Sequence, residues 1–256
     1  MSVPDAEEAG AGMQVDLRGR SALVTGAARG LGAAVTRRLA EAGAMVWAAD
    51  VREGELKELA RKLGEDGRTV QPLVFDIRDS GQVASAVGDI WNASGNLHIL
   101  VNNAAVDVSK PIEHLSAEEA DRVIGTNLLG PIHLCLENYR RMIKQGGGHI
   151  INILSTAANR TWTEAGPYSA SKTGLRAFTH TLFQEAQRDC IGIGVTGIIA
   201  GGMETQFILE RFPDADTSKL QDPAIVADTV MYALSVPAGS VVGELVIVPR
   251  NEPSWP

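Results

Sequence analysis

The feature that most limits the fold of this chain is a glycine-rich loop between a short apolar strand and an amphipathic helix. The strand pattern runs from Arg20 to Thr25, and the loop Gly-Ala-Ala-Arg-Gly-Leu-Gly occupies Gly26 to Gly32. A strand, a glycine turn and a helix in this order predict a parallel sheet in which a helix N-terminus faces a ligand. The helix is indicated by apolar residues at helical spacing and a glycine at the C-cap position: Leu31, Val35, Leu39, Ala42 and Gly43.

The spacing of these glycines, G-x-x-x-G-x-G, differs from the dinucleotide fingerprint G-x-G-x-x-G, so the motif itself does not match. These glycines can still serve the same physical role, because glycine lets the backbone turn tightly and approach a pyrophosphate. The negative charge of that group suits the free N–H groups at a helix N-terminus. The loop therefore predicts a dinucleotide site.

An aspartate at the end of the next strand bears on the choice of dinucleotide. The strand pattern Met45 to Ala49 ends at Asp50, about 20 residues beyond the glycine loop. A carboxylate there accepts hydrogen bonds from the adenosine ribose and repels a 2′-phosphate, which favours NAD over NADP. Arg29 and Arg52 act in the opposite sense, since either side chain can pair with a 2′-phosphate. We expect NAD, with NADP as the alternative.

Strand and helix patterns alternate along the rest of the chain with short connections. Within the helical stretch Ala117 to Lys144, a Gly130-Pro131 pair predicts a bend. Buried strands that alternate with helices predict an α/β fold, a doubly wound Rossmann-like parallel sheet with helices on both faces. We expect one domain over residues 17–256 and a disordered tail over residues 1–16. Further strands are predicted at Val70 to Phe75, Leu97 to Val101, His149 to Leu154, Ile193 to Ile199 and Glu244 to Val248.

Tyr168 and Lys172 lie four residues apart in a helix pattern that ends near Asp189, so their side chains share one face. A phenol has a pKa near ~10 and is a poor base at neutral pH. A neighbouring ammonium stabilises the phenolate, and a decrease of about three pKa units equals roughly 4 kcal/mol. The pair therefore predicts a general acid/base for a carbonyl or carbinol group, with Lys172 lowering the tyrosine pKa.

The overall charge and the cysteines argue against several other classes of protein. The 23 basic and 31 acidic residues give a net charge of −8, without the basic stripe of a nucleic-acid-binding protein. No apolar run reaches the roughly 18 residues that span a membrane, and the N-terminal segment does not resemble a signal or transit peptide. Cys135 and Cys190 have no metal-like spacing and suit a reducing cytoplasm. We expect no bound metal, and we interpret the five histidines as structural or solvated.

Six residues singled out along the chain fall at the carboxyl ends of predicted strands, the edge at which open α/β sheets bind ligands. They are Gly26, Asp50, Asp76, Asn102, Ser155 and Ala200. The chain also contains an ordered set of motifs: Thr25 to Gly32 (T-G-A-A-R-G-L-G), Asp76, Asn102 to Ala105 (N-N-A-A), Asn127, Ser155 and Tyr168 to Lys172 (Y-S-A-S-K). In order and spacing, over about Leu17 to Val248, the chain resembles the short, single-domain branch of the short-chain dehydrogenase/reductase family.

The resemblance implies a role for each matching position. Tyr168 would exchange a proton with the substrate oxygen, and Ser155 would hydrogen-bond that oxygen. Lys172 would hold the nicotinamide ribose and depress the tyrosine pKa, while Asn127 would bind a water linking Lys172 to solvent. Asp76 would accept a hydrogen bond from the adenine amino group. The implied cofactor site consists of Gly26, Arg29, Gly30, Leu31, Gly32, Asp50, Asp76, Ile77, Asn103, Ala104, Tyr168, Lys172 and Thr205.

The chain departs from the family pattern in three places. The usual Asn-Asn-Ala-Gly ends here in Ala105, and the usual Pro-Gly after the sixth strand is replaced by Ala200 and Gly201, with Glu204 close to the expected carboxamide. A segment from Val246 to Glu252 replaces the glycine-rich ending common in the family. Trp255 therefore has no role that the resemblance supplies.

The substrate pocket is expected to have mostly apolar walls and few fixed charges, under a lid that excludes water. The candidates are Val106, Asp107, Ala157 and Trp162, together with Met203, Phe207, Leu209 and Phe212 on the lid. These walls suggest a secondary alcohol or ketone of moderate hydrophobicity. The expected function is interconversion of the two with NAD.

Two alternatives remain at this point: an NADP-dependent 3-oxoacyl-type carbonyl reductase, and a non-catalytic dinucleotide-binding or redox-sensing protein. The departures at Ala105 and Ala200 are the reason for the second alternative. The resemblance also implies a homo-oligomer. The helical stretches Ala117 to Lys144 and Tyr168 to Asp189 carry apolar stripes that can pair across a two-fold axis. We expect a cytoplasmic homotetramer, with a homodimer as the alternative.

Overall fold

The computed structural model describes residues 15–211, 214 and 216–252. Most of the expected N-terminal tail, the lid candidate Phe212 and the C-terminal Trp255 lie outside the described residues. Val15, within the stretch expected to be a tail, packs against the main apolar core.

Seven strands form one sheet, in the order β3-β2-β1-β4-β5-β6-β7, and every pairing within it is parallel. The order reverses between β1 and β4, which opens a crevice at the carboxyl ends of these two strands. The strands are β1 (Ser21–Thr25), β2 (Met45–Asp50), β3 (Val70–Val74), β4 (Ile99–Asn102), β5 (Gly148–Ser155), β6 (Ile193–Ala200) and β7 (Glu244–Ile247). The predicted doubly wound parallel sheet is confirmed.

Helices cover both faces of the sheet. They are α1 (Gly30–Glu41), α2 (Glu53–Glu65), α3 (Ser80–Ser94), α4 (Ala117–Ile124), α5 (Gly130–Gln145), α6 (Gly166–Asp189), the short α7 (Gln206–Leu209) and α8 (Pro223–Ser235). One apolar core lies under α1, α2 and α8, and a second lies under α3, α5 and α6. Neighbouring strand residues alternate between these cores, with Val24 in the first and Leu23 in the second. Within the described residues, no helix is both long and apolar enough to cross a membrane.

The long helical stretch is interrupted earlier than the sequence predicts. A π-helical turn, Gly125–Leu129, joins α4 to α5, whereas the expected bend lay at Gly130-Pro131. Pro131 instead occupies the first turn of α5, where its missing N–H is tolerated. Gly130 packs so closely that an added Cβ would lie 2.7 Å from the Ile77 side chain.

Gly32 tests how strictly the glycine loop is packed. A Cβ on Gly32 would lie 2.0 Å from the carbonyl oxygen of Gly26. We expect Gly32→Ala to lower the free energy of unfolding by about 1–3 kcal/mol, because backbone must move to admit the methyl group. The matched control is Gly64→Ala in α2, where an added Cβ meets nothing within 4 Å; it should raise stability by about 0.5–1 kcal/mol. Urea unfolding measures both, and equal effects would contradict the packing argument.

Candidate active site

A cleft of about 950 Å³ opens at the carboxyl ends of the strands. Its walls come from the glycine loop, the ends of β2, β4 and β5, the start of α6, and residues 205–211, which contain α7 and are called the lid here. A cavity of this size is in the range that holds a dinucleotide or a drug-sized ligand.

The N-terminus of α1 faces this cleft with its backbone donors free of side-chain caps. Arg29 occupies the N-cap position without a capping hydrogen bond, and the first turn contains no acidic residue. Gly30 adopts a φ of +54°, and an added Cβ there would lie 3.3 Å from the Thr205 side chain on the lid. Uncapped N–H groups at the positive end of a helix suit an anion such as a pyrophosphate. The residues present therefore fit a dinucleotide.

Asn103 joins the glycine loop to the end of β4. Its side-chain amide donates to the carbonyl oxygens of Thr25 at 2.9 Å and of Gly26 at 3.1 Å, and the Thr25 hydroxyl accepts from the backbone N–H groups of Asn103 and Ala104. Gly26 has a φ of +65°, and a Cβ there would lie 2.7 Å from the Ala104 Cα. The predicted residues Gly26, Asn103 and Ala104 are thus held in one place.

Two aspartates stand at the other end of the cleft. Asp50 accepts from the backbone N–H groups of Ala28 at 3.1 Å and of Arg52 at 3.0 Å, which fixes its carboxylate beside the glycine loop. Asp76 is bound by the guanidinium of Arg78, with a closest approach of 2.5 Å. Leu31, Gly32, Ile77 and Thr205 also line the cleft, so all the predicted cofactor positions border it.

Ser155, Tyr168 and Lys172 come together at the inner end of the cleft. Ser155 ends β5, while Tyr168 and Lys172 lie on one face of α6, and all three side chains are buried. Ser155 Oγ accepts from the Ala157 N–H at 3.2 Å, and hydrogen bonding by Ser155 acts to lower the pKa of the Tyr168 phenol. Lys172 Nζ donates to the Ile153 carbonyl oxygen at 2.8 Å and lies 5.9 Å from the Tyr168 ring centroid.

The electrostatics of Tyr168 differ from the sequence-based expectation. Burial raises the pKa of the phenol above 10.0; the Ser155 hydrogen bond and the Arg211 guanidinium lower it, and the Asp107 carboxylate raises it further. Lys172 is not among the groups that lower this pKa, and its ammonium donates to the Ile153 carbonyl. Burial also lowers the pKa of Lys172 from 10.5 to about 8.

Asn127 lies behind the cleft rather than in it. Its carboxamide accepts from the Val106 N–H and donates to the Val106 carbonyl oxygen, both at 2.8 Å, and it also donates to Ser171 Oγ at 3.2 Å. Among the described residues, no hydrogen bond joins Asn127 to Lys172. Asn127 thus fixes the chain that follows β4, which is the position of Asp107.

Four of the substrate-pocket candidates, Ala157, Trp162, Met203 and Phe207, have different environments. Trp162 and Met203 line the cleft, and Trp162 is 44% exposed at its mouth. The Phe207 ring lies 6.1 Å from the Tyr168 ring. Ala157 was expected in the pocket wall, but it is fully buried in an apolar cluster beside Tyr168 and does not border the cleft.

One of the expected wall residues, Asp107, belongs to a buried ion pair on the substrate side of the cleft. Asp107 follows β4 and pairs with Arg211 at the end of the lid. The pairing joins residues 104 positions apart, so no local sequence pattern indicates it. The pocket walls therefore combine apolar side chains with one fixed ion pair.

The three departures from the family pattern leave the cleft open. Ala105 and Ala200 both line it. Glu204 is exposed and does not border the cleft, whereas Glu252 from the unusual C-terminal segment does. Glu252 accepts from the Gly202 N–H at 2.8 Å, and a Cβ on Gly201 would lie 2.5 Å from its carboxylate. The C-terminal segment thereby contributes to this wall, which the sequence did not indicate.

A family model described as short chain dehydrogenase matches residues 20–216. The chain belongs to the short-chain dehydrogenase family. It is an oxidoreductase of that family. Such enzymes use a small-molecule substrate and a nicotinamide cofactor, and the cleft with the uncapped N-terminus of α1 beside it suits both.

Curated relatives and solved structures agree with this family. An uncharacterized oxidoreductase of Staphylococcus haemolyticus is 32% identical over 234 residues, which cover 91% of this chain and 99% of that protein. One from Thermotoga maritima is 40% identical over 189 residues, 74% of this chain and 73% of that protein. A metagenomic short-chain oxidoreductase in complex with NADP has a TM-score of 0.81 at 27% identity, covering 91% of this chain and 99% of that one. Actinorhodin polyketide ketoreductase with NADPH has a TM-score of 0.82 at 29% identity, covering 90% and 96%.

The burial of Lys172 has a cost that depends on pH. Its folded pKa of about 8 lies below the ordinary 10.5, so between these values the unfolded chain binds more protons and stability rises with pH. We expect Lys172→Met to be more stable than the parent chain by about 1–2 kcal/mol at pH 7, with the difference lost by pH 10.5.

Urea unfolding at several pH values measures this difference. Lys144→Met, which replaces an exposed lysine near the end of α5, is the control and should show no such trend. A pH-independent effect of Lys172→Met would show that Lys172 keeps an ordinary pKa in the folded protein.

Proposed function

We propose that this short-chain dehydrogenase interconverts a secondary alcohol and a ketone, with Tyr168 as the general acid/base. The observation that carries the proposal is the buried Ser155–Tyr168–Lys172 cluster at the inner end of the same cleft that receives the uncapped N-terminus of α1. A bound nicotinamide supplies or accepts the hydride.

The protein's own residues then act on the proton and the substrate oxygen. The raised pKa of Tyr168 keeps the phenol protonated at neutral pH, the form that donates to the oxygen of a ketone being reduced. Ser155 is oriented by the Ala157 N–H and hydrogen-bonds Tyr168, so the two hydroxyls converge on one oxygen position. With a pKa of about 8, Lys172 carries its charge at neutral pH beside this position.

We also propose NAD as the preferred cofactor. The Asp50 carboxylate is held at the end of β2 by two backbone N–H groups, where it disfavours a 2′-phosphate. Both nearby arginines already have carboxylate partners: Arg29 pairs with Glu210 at 2.5 Å and Arg52 with Glu55 at 3.5 Å. The NADP and NADPH complexes among the similar structures favour the other cofactor for those proteins.

An NADP-dependent carbonyl reductase of the 3-oxoacyl type is the second candidate. The similarity to a polyketide ketoreductase with NADPH supports it, and Asp50 opposes it. For either activity, Phe207, Met203 and Trp162 offer apolar surface to a substrate, with the Asp107–Arg211 pair as a polar contact.

The proposal includes a cytoplasmic homotetramer. Leu129 and Leu136 lie seven residues apart along the π turn and α5, and both are exposed. Ile225 and Tyr232 form a similar exposed pair on α8. Two separate apolar faces support assembly about two different two-fold axes.

Tyr168→Phe tests the proposed chemistry. Removal of the phenol hydroxyl should lower kcat by about 10³-fold, because proton exchange with the substrate oxygen is lost. NADH binding, followed by nicotinamide fluorescence, should change little. Turnover is measured with a panel of 2-butanol, cyclohexanol and 1-phenylethanol and their ketones, with Tyr232→Phe on exposed α8 as the matched control. A Tyr168→Phe protein that keeps most of its activity would rule out this mechanism.

Asp50→Ser tests the cofactor preference. Loss of the carboxylate should reduce the NADH-to-NADPH affinity ratio by about tenfold, the equivalent of roughly 1.4 kcal/mol of removed repulsion. Fluorescence titrations with the two cofactors measure this ratio directly. Asp66→Ser, beyond the end of α2, removes an exposed carboxylate outside the cleft and should leave the ratio unchanged. An unaltered ratio in Asp50→Ser would remove the basis for the NAD assignment.

A further inference from the structure

Two neighbouring residues of the lid hold opposite walls of the cleft. Glu210 accepts from the Arg29 guanidinium at 2.5 and 2.9 Å, on the side of the glycine loop. Arg211 pairs with Asp107, on the side of the substrate pocket. The two contacts have opposite polarity, since the lid supplies the anion to one wall and the cation to the other. Together they close the lid across the cleft.

The two ion pairs differ in burial. The side chains of Arg29 and Glu210 are 27% and 52% exposed, so water screens their attraction. Those of Asp107 and Arg211 are 4% and 17% exposed. Removing one partner of a buried pair leaves an uncompensated charge, which makes the inner contact the more consequential one.

The inner pair is connected to Tyr168 by direct packing. The Arg211 guanidinium carbon lies 4.1 Å from the Phe207 ring centroid, and Phe207 in turn stacks at a tilt against Tyr168. Val108, next to Asp107, belongs to the same apolar cluster as Tyr168. The lid cation and the Asp107 carboxylate therefore act on the phenol through a water-poor region, where charges interact strongly.

Their effects on the phenol have opposite signs. Arg211 favours the phenolate and Asp107 disfavours it, while Asp107 also favours the charged form of Lys172. Movement of the lid would carry Arg211 away and leave Asp107, which is fixed by the chain after β4, near Tyr168 without its cationic partner. Other ionisable groups of this cleft, from α4, the segment after β5 and the C-terminal segment, are Arg122, Arg160 and Glu252.

Resting on the proposed acid/base role of Tyr168, we infer that Arg211 is a positioning residue that makes proton exchange at Tyr168 depend on lid closure by neutralising Asp107. The closed lid thus prepares the phenol for chemistry as well as excluding water. When the lid is open, the unpaired Asp107 carboxylate disfavours proton exchange at Tyr168.

The experiment is a tyrosinate absorbance titration of the cofactor-free protein, read within seconds of a pH jump so that folded protein is sampled. The chain contains three tyrosines, and the spectrum of Tyr168→Phe subtracts the other two. Arg211→Met should raise the apparent pKa of Tyr168 by about one unit, and Asp107→Asn should lower it by a similar amount. Asp107→Asn/Arg211→Met should titrate close to the parent chain, and Arg211→Lys should restore most of the effect of the arginine.

A higher pKa of Tyr168 in Arg211→Met and a lower one in Asp107→Asn would distinguish this role from a merely structural one. Glu210→Gln breaks only the Arg29–Glu210 pair and should leave the apparent pKa of Tyr168 unchanged. If Arg211→Met does not fold, the apparent pKa of Tyr168 must still be higher in the double variant than in Asp107→Asn. Equal pKa values in all variants, or shifts in one direction, would overturn the inference. Because the titration uses neither substrate nor cofactor, its failure is separate from retained activity in Tyr168→Phe, which would refute the proposed function alone.

Discussion

The close approach of the glycine loop to the end of β4 is the constraint on which the rest of the site depends. Asn103 ties the two backbones together through Thr25 and Gly26, at a separation that leaves no room for a Cβ on Gly26. This contact sets the N-terminus of α1 at the reversal point of the sheet, where the cleft opens. A looser contact would displace the helix end and the following chain together, and with them both ends of the site.

Burial determines the chemistry at the inner end of the cleft more than the Tyr168–Lys172 spacing does. The same desolvation raises the pKa of the phenol and lowers that of the ammonium, so each group is pushed toward its neutral form. Nearby charges then decide how far the phenol departs from this state. Those charges come from Arg211 and Asp107, neither of which belongs to the helix that carries the tyrosine.

Features written in local patterns could be predicted from the sequence. Apolar runs located the strands, glycine spacing located the start of α1, and the ordered motifs placed Ser155 beside Tyr168. Contacts between distant residues could not be predicted, because neither partner carries a local signal. Arg29 and Glu210 are 181 residues apart, and the sequence indicates Arg29 only as a candidate phosphate ligand. The direction of the tyrosine pKa was wrong for a related reason, since burial is a property of the folded chain.

Asn127 shows how a correctly identified residue can have a contact that its motif does not describe. Its position was predicted, yet its carboxamide is bound to both backbone polar groups of Val106. Asn127 lies within the π turn, a helix irregularity often found at functional sites, and its side chain is fully buried. By holding Val106, Asn127 fixes the neighbouring Asp107, and Asp107 in turn receives Arg211 from the lid. A helix irregularity, a loop and a lid residue thus act on one phenol through consecutive contacts.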